Sequence, residues 1–171
     1  FTESANWLPT DNLQQFPITI ISQRTSPTKI GVSLLSNLSA IDFGYITISQ
    51  LIERTSNTFK TLNKLERYEG HFYNWYDTQS LVPLHPRYIS TVDSGNLAGH
   101  LLTLRQGLFE MLNRKIIKDD LWDGLYDTIR IIAKKIPADE QALFNQFQKA
   151  FEVENLSRPV QLSELKNSLE R

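Results

Sequence analysis

The chain has 171 residues, 40% hydrophobic and 22% charged, which is enough for one domain with a real core and too apolar for a disordered segment. Its 18 basic residues nearly balance 19 acidic ones and form no basic run, which excludes the electrostatic footprint of a nucleic-acid or anionic-membrane binder and favours a neutral partner. The absence of cysteine excludes disulfides, thiolate zinc sites and cysteine nucleophiles. No apolar stretch approaches the roughly 20 residues that cross a bilayer, and the first residues carry neither the basic flank nor the apolar run of a signal peptide. The chain opens on Phe1 without an initiator Met and reads as a cut or processed soluble segment.

Residues 1–25, with Pro9, Pro17 and several Asn and Gln, show no sustained period and read as an extended arm, anchored by Trp7, Leu8, Phe16 and Ile20. Ser26-Pro27 is a helix start, a capping hydroxyl followed by proline at the first helical position. A first helix is expected to about Asp42, apolar at Ile30, Leu34, Leu38 and Ile41, with Gly44 where a left-handed C-cap belongs. Thr47 and Gln50 form a capping box, and Ile48, Leu51, Ile52, Phe59 and Leu62 recur at helical spacing behind it. The short link between these two helices predicts an antiparallel hairpin.

After Gly70 the pattern breaks into His71-Phe72-Tyr73-Asn74-Trp75-Tyr76-Asp77-Thr78 and a proline-bearing stretch to Ser90, a long loop with room for a short β-hairpin. A third helix is expected from Asp93 or Ser94, apolar at Leu97, Leu101, Leu104, Leu108 and Met111 or Leu112. It also holds Gly95, Gly99 and Gly107, each costing about 1 kcal/mol relative to alanine, so close approach of a neighbour or a ligand is implied. A fourth helix follows from about Asp120 to Ile136, with Leu121, Trp122, Leu125, Ile129 and Ile132 inward. The fifth follows Pro137 to about Val153 on Leu143, Phe147 and Phe151, and a short last one carries Leu162, Leu165 and Leu169. The expected fold is therefore all-α, an up-and-down array spanning residues 26–171. In such an array the loops that lead into odd-numbered helices share one end, which brings Arg24 to Thr28 beside His71 to Asn96.

A sugar presents flat C–H faces and rims of hydroxyls, so its site needs aromatic platforms beside carboxylates and amides. The Phe72, Tyr73, Trp75, Tyr76 cluster with Asn74 and Asp77 contains both. The competing reading is purely structural, with rings plugging the bundle end and Asp77 capping a turn. Asp93-Ser94-Gly95-Asn96 and Thr25-Ser26-Pro27-Thr28 place polar groups at helix starts, where they bond a ligand or simply cap. His100, with Asn96, Thr103 and Gly107, forms a small polar stripe, though a lone histidine there more often packs than binds. His71 and His85 have no partner at metal-ligand spacing, so neither a metal nor another cofactor is expected. Glycoside chemistry takes two carboxyl groups across the scissile bond, and only Asp77 and Asp93 fall near one mouth, each with a structural explanation.

Three stretches read together resemble the opening of the middle domain of cyclic β-1,2-glucan synthases: RTSPTKIGVSLLSNLSAIDFGYIT (Arg24 to Thr47), LERYEGHFYNWYDTQSLVPL (Leu65 to Leu84) and PRYISTVDSGNLAGHLLTLRQGL (Pro86 to Leu108). NWLPTDN (Asn6 to Asn12) resembles the segment just after that family's transmembrane region. The resemblance runs from about Asn6 to Leu108 and becomes diffuse beyond Met111. It implies a piece of a large inner-membrane enzyme, lying on the cytoplasmic side, whose glucoamylase-like middle domain is an α/α toroid that closes linear β-1,2-glucan into rings by retaining transglycosylation. About half of such a toroid is present, without its catalytic acid pair. The partners implied are a β-1,2-glucan oligosaccharide, the remainder of the parent polypeptide and, through the uncovered apolar face, a second copy. Thr25, Ser26, Trp75, Tyr76, Asp77, Asp93, Ser94 and Asn96 are the matching positions carried over as substrate-cleft candidates, with Trp75 as the stacking platform. The alternative is an autonomous helical interaction module.

Overall fold

A computed structural model describes residues 2–112 and 119–155. They are mainly helical, with five α-helices and three small antiparallel strand pairs: β1 (Leu13–Gln14), β2 (Ile20–Ile21), β3 (Arg24–Thr25), α1 (Pro27–Asp42), α2 (Ile48–Leu62), β4 (Arg67–Tyr68), β5 (His71–Phe72), β6 (Tyr76–Asp77), α3 (Thr91–Met111), α4 (Asp119–Ala133) and α5 (Gln141–Asn155). The expected last helix over Leu162, Leu165 and Leu169 lies outside the described residues. Among the described residues no helix is long and apolar enough to cross a membrane. They fall into two compact units, the first within Phe1–Ser39 and Ile48–Asn113, the second within Ala40–Thr47 and Arg114–Arg171.

The first unit has its core at Leu8, Ile30, Leu34, Leu62, Leu65, Tyr76 and Leu104. Helix α1 supplies Ile30 and Leu34 at helical spacing, with no exposure of either. The buried face of α2 keeps Leu51 and Leu62 of the expected residues, but Ile48, Ile52 and Phe59 are exposed, and Thr55, Thr58 and Thr61 turn inward in their place. The reason is hydrogen bonding across the chain. Thr58 Oγ1 donates to the Trp7 carbonyl (3.1 Å) and Thr61 Oγ1 to that of Asn6 (2.8 Å), so threonine hydroxyls satisfy an arm that has little secondary structure of its own. The Asn6 amide in turn donates to the carbonyls of Thr78 and Gln79, both at 2.9 Å.

The arm itself corrects the sequence reading. Leu8 is buried, but Phe16 and Ile20 are 87% and 55% exposed, because they sit on the β1–β2 hairpin rather than against the helices. Leu13 pairs with Ile21 and Gln14 with Ile20. A second hairpin joins β4 to β5, turning at Glu69 (φ 47°) and Gly70 (φ 85°), two left-handed residues that match the twist of the flanking strands. Strand β6 pairs instead with β3, Arg24 opposite Asp77 and Thr25 opposite Tyr76, which ties the aromatic loop to the start of α1.

Helix α3 begins earlier than the sequence suggested. Ser90 is its N-cap, with its hydroxyl accepting from the Asp93 amide (3.1 Å), so the helix starts at Thr91 and Asp93 sits inside the first turn. Leu97 and Leu104 are buried, Leu101 and Leu108 are partly buried against the core, and Leu112 is exposed. Only one of its three glycines meets the expected close neighbour. A side chain at Gly107 would strike Leu38, whereas Gly95 and Gly99 face open space. Between α2 and α3 lies an open apolar groove of about 520 Å³, lined by Phe59, Leu101, Leu104, Arg105, Leu108, Phe109 and Leu112.

In the second unit Gly44 has φ 70° and closes the turn after α1, its amide donating to the Ile41 carbonyl (3.0 Å) while Tyr45 donates to that of Ala40 (2.8 Å). A Cβ on Gly44 would collide with the Asp120 backbone. Tyr45 OH donates to Asp127 Oδ2 (3.2 Å), and that carboxylate pushes the Tyr45 hydroxyl above the usual range. Helices α4 and α5 meet through Trp122 and Phe151, ring centroids 6.4 Å apart. Ile129 is buried, but Leu125, Ile132, Leu143 and Phe147, all expected inward, are exposed, since two helices sharing one seam cover only the residues on it.

Candidate functional site

Three segments of the first unit converge: the start of α1 (Thr25 to Lys29), the loop from Phe72 to Ser90, and the first turn of α3. The loop is a strap stitched by its backbone, with Asn74 N donating to Tyr88 O (2.9 Å), Leu84 N to Trp75 O (2.9 Å) and Asp77 N to Val82 O (3.0 Å). These bonds lock Asn74 and Trp75 over the helix starts. Across the gap Asn96 Nδ2 donates to Thr28 Oγ1 (3.1 Å), joining the two motif stretches of the sequence directly.

Asn74 is 6% exposed and sits at the centre. In the amide orientation that satisfies all of its neighbours, Nδ2 donates to Asp93 Oδ2 (2.7 Å), while Oδ1 accepts from Tyr88 OH (2.6 Å) and Trp75 Nε1 (2.5 Å). Asp93 is half-buried. Burial pushes its pKa up, but the hydroxyls of Thr28, Ser90 and Ser26 and the Thr28 amide outweigh that and hold the carboxyl below its usual value of 3.8. It is a carboxylate at neutral pH, placed where two helix N-termini favour negative charge.

Trp75 is half-buried, and the Arg24 guanidinium lies over its ring, 4.5 Å from the centroid. Arg24 is held there by Asp11, with Nη2 and Nε both bonded to Oδ2 at 2.9 and 3.0 Å, and Lys29 Nζ reaches Oδ1 at 3.2 Å. Burial opposes ionisation of Asp11, yet the bonds from Arg24 and Lys29 leave its pKa lowered. The cations of this corner are therefore partly neutralised.

The other candidates have different environments. Tyr76 is wholly buried, its hydroxyl donating to Glu66 O and accepting from Tyr73 N, both at 2.7 Å, and its ring meeting Phe72 and Tyr73 edge-on. Thr25 is equally buried and Ser26 nearly so. Asp77 Oδ1 accepts from Ser80 N (2.7 Å), Ser80 Oγ (2.9 Å) and Gln79 N (3.0 Å), capping the turn after β6 and lowering the Asp77 pKa. Ser94 Oγ donates back to Ser90 O (2.9 Å). Trp75, Asp93, Ser94 and Asn96 thus retain partial or full exposure, whereas Thr25, Ser26 and Tyr76 are buried. His100 packs on Gly31, a contact that leaves no room for a Cβ there. Among the described residues no three His, Asp or Glu side chains cluster as metal ligands would.

Sequence reasoning singled out Asn74 in the aromatic cluster but did not place it among the cleft residues, and it passed over Arg24, Tyr88 and Ser90. The signal for Arg24 was its position beside Thr25 in a segment expected to face the loop. Nothing local marks Tyr88.

No family model matches the chain. Over 103 residues, 60% of its length, it is 50% identical to the cyclic beta-(1,2)-glucan synthase NdvB of Rhizobium meliloti (strain 1021). The match spans 4% of that protein, so the chain corresponds to a small part of its relative. The resemblance read from the motifs is thus present as extended sequence identity.

Proposed function

We propose that this chain is part of a cyclic β-1,2-glucan synthase and forms a wall of the sugar-binding cleft in a domain that cyclises linear β-1,2-glucan. The observation that carries the reading is the 50% identity over 103 residues to a protein of that name. In this reading the helices are about half of an α/α toroid built from antiparallel helical hairpins, residues 1–25 are an arm bound to it, and the remainder of a long polypeptide completes the fold. The parent is an inner-membrane protein and this segment is cytoplasmic.

Trp75 supplies the platform and Asp93, Ser94 and Asn96 take up hydroxyl bonds, with Thr25, Ser26, Tyr76 and Asp77 holding the frame. The role is recognition rather than proton transfer. A general acid at a glycosidic oxygen needs a raised pKa, and a retaining pair needs its carboxyls about 5 Å apart. Asp77 and Asp93 both have lowered values, and Asp77 is engaged in a turn. That supports a segment inactive by itself, with ring closure by transglycosylation carried out on acids elsewhere in the parent. The test is a titration with linear β-1,2-gluco-oligosaccharide followed by tryptophan fluorescence, against a β-1,4-linked control. Saturable, linkage-selective binding that weakens at least tenfold, about 1.4 kcal/mol, in Trp75→Ala is the expected result. Absence of binding both here and in the complete parent domain would sink the reading.

A second reading, an interaction module without catalytic role, is favoured by the apolar groove between α2 and α3, where Phe59, Phe109 and Leu112 are 38%, 51% and 77% exposed. The two readings part on sedimentation with and without the sugar. Concentration-dependent self-association without sugar binding favours the module, whereas linkage-selective binding favours the synthase.

A further inference from the structure

We infer that Asn74 is the positioning residue of this site, a single buried amide that sets the Trp75 indole and the Asp93 carboxylate in one rigid frame. The inference deepens the sugar-wall reading and rests on it for the identity of the ligand. An asparagine amide offers two donors and a carbonyl with two lone pairs. Here Oδ1 spends both lone pairs, on Trp75 Nε1 and Tyr88 OH, while Nδ2 donates to Asp93 Oδ2. The backbone amide of Asn74 bonds the Tyr88 carbonyl as well, so the residue is fixed from both its ends.

This pattern has a consequence for recognition. A stacked sugar and a hydroxyl-binding carboxylate act together only when their separation is set beforehand, because ordering them on binding would cost affinity. Trp75 comes from the loop and Asp93 from α3, and Asn74 bonds to both side chains. Trp75 is further steadied by Arg24 over its ring. Aspartate at position 74 would keep the shape but set a second carboxylate within 2.7 Å of Asp93. Two carboxyls at that distance do not both ionise freely and share a proton when acidified.

The groups facing Asp93 are the hydroxyls of Ser26, Thr28 and Ser90, the Thr28 backbone amide and the Asn74 side-chain amide. Those facing the Asn74 oxygen are Tyr88 OH and the Trp75 indole, and Arg24 lies beyond the indole. Asp93 stays ionised in the wild type from pH 4.5 to 8, since its pKa lies below 3.8.

The experiment uses the full chain, ¹⁵N-labelled, as wild type, N74D and N74L, with W75F to assign the Trp75 indole N–H resonance. Each is titrated with linear β-1,2-gluco-oligosaccharide at pH 4.5 and pH 8, and thermal unfolding reports on the fold. In N74D the indole resonance and the affinity should match the wild type at pH 4.5, and at pH 8 the resonance should move and the Kd rise at least tenfold. The wild type should change less than twofold. Because the comparison lies within one variant, it stands even where N74L fails to fold. An unmoved resonance in N74D at pH 8, or a moved one with unchanged affinity, overturns the assignment. A wild type that binds no sugar at either pH, with a complete parent domain that binds none either, overturns the sugar-wall reading instead, and the indole resonance then still decides whether Asn74 orients Trp75.

Discussion

Removing the hydroxyl of Tyr76 tests whether the aromatic loop is a structural keystone or loosely laid over the helices. The ring has no exposed surface, and its oxygen joins Glu66 O and Tyr73 N at 2.7 Å each. Tyr76→Phe keeps the packing with Phe72 and Tyr73 but strands one backbone donor and one acceptor. Each stranded group costs about 1–3 kcal/mol when buried, and water reaches part of this pair, so about 2 kcal/mol in total is expected. For a chain of this size that lowers Tm by roughly 4–8 °C. The same hydroxyl gives the stability a pH dependence that the Phe variant lacks. Burial pushes the hydroxyl from 10.0 to about 12, so above pH 10 the folded chain keeps a proton that the unfolded chain releases. The contribution is whole below about pH 10 and lost as pH rises through about 12, and two pKa units correspond to about 2–3 kcal/mol. Urea unfolding from pH 8 to 12 should therefore show the two proteins separated by about 2 kcal/mol at pH 8 and converging by pH 12. Equal stability at pH 8, or parallel curves throughout, would refute the assignment of Tyr76 to the buried frame.

The glycines give a paired test: Gly95→Ala, in open helical space, should stabilise by about 0.5–1 kcal/mol, while Gly44→Ala, at φ 70° against the Asp120 backbone, should destabilise by more than about 1 kcal/mol. Thermal melts of both read the sign directly, and a destabilised Gly95→Ala would mean that something occupies that face. Asp93→Asn should lose about 1–2 kcal/mol at pH 7. Because the folded pKa is depressed, this contribution is present above 3.8 and disappears as pH falls through the folded value, so an acid titration should show a steeper loss in wild type than in the variant. Sugar binding should change less than twofold between 50 and 500 mM salt, as expected of a neutral ligand. A loss of ten-fold or more would point to an anionic one.

Much of the helical frame was legible because its signals are local. Ser26-Pro27 starts α1 as written, and Gly44 takes the left-handed turn after it. The start of α3 was misplaced because Ser90 and Asp93 are both good caps, and only the bond from Asp93 N to Ser90 Oγ decides between them. The inner face of α2 was misread for a different reason. Thr58 and Thr61 look polar until their acceptors, the carbonyls of Trp7 and Asn6, are known, and those lie more than 50 residues away. The β3–β6 pair is hidden in the same way, since two-residue strands carry no period.

The candidate site shows a similar division. Its residue types were visible because aromatics and amides are conspicuous, but their roles depended on which atoms were already spent. Tyr76 and Asp77 are adjacent and equally suggestive as sequence, yet one hydroxyl is buried between two backbone groups and one carboxylate closes a turn. Asn74 looked like their accompaniment and is the residue that touches both Trp75 and Asp93. Charge points the same way. Asp11 offsets Arg24 and Lys29, and Asp93 lies where two helix N-termini meet, so the surface left between them carries directed donors and acceptors with little net field. A surface of that kind discriminates by the placement of hydroxyls and a flat apolar face rather than by charge, which is the discrimination that a neutral oligosaccharide requires.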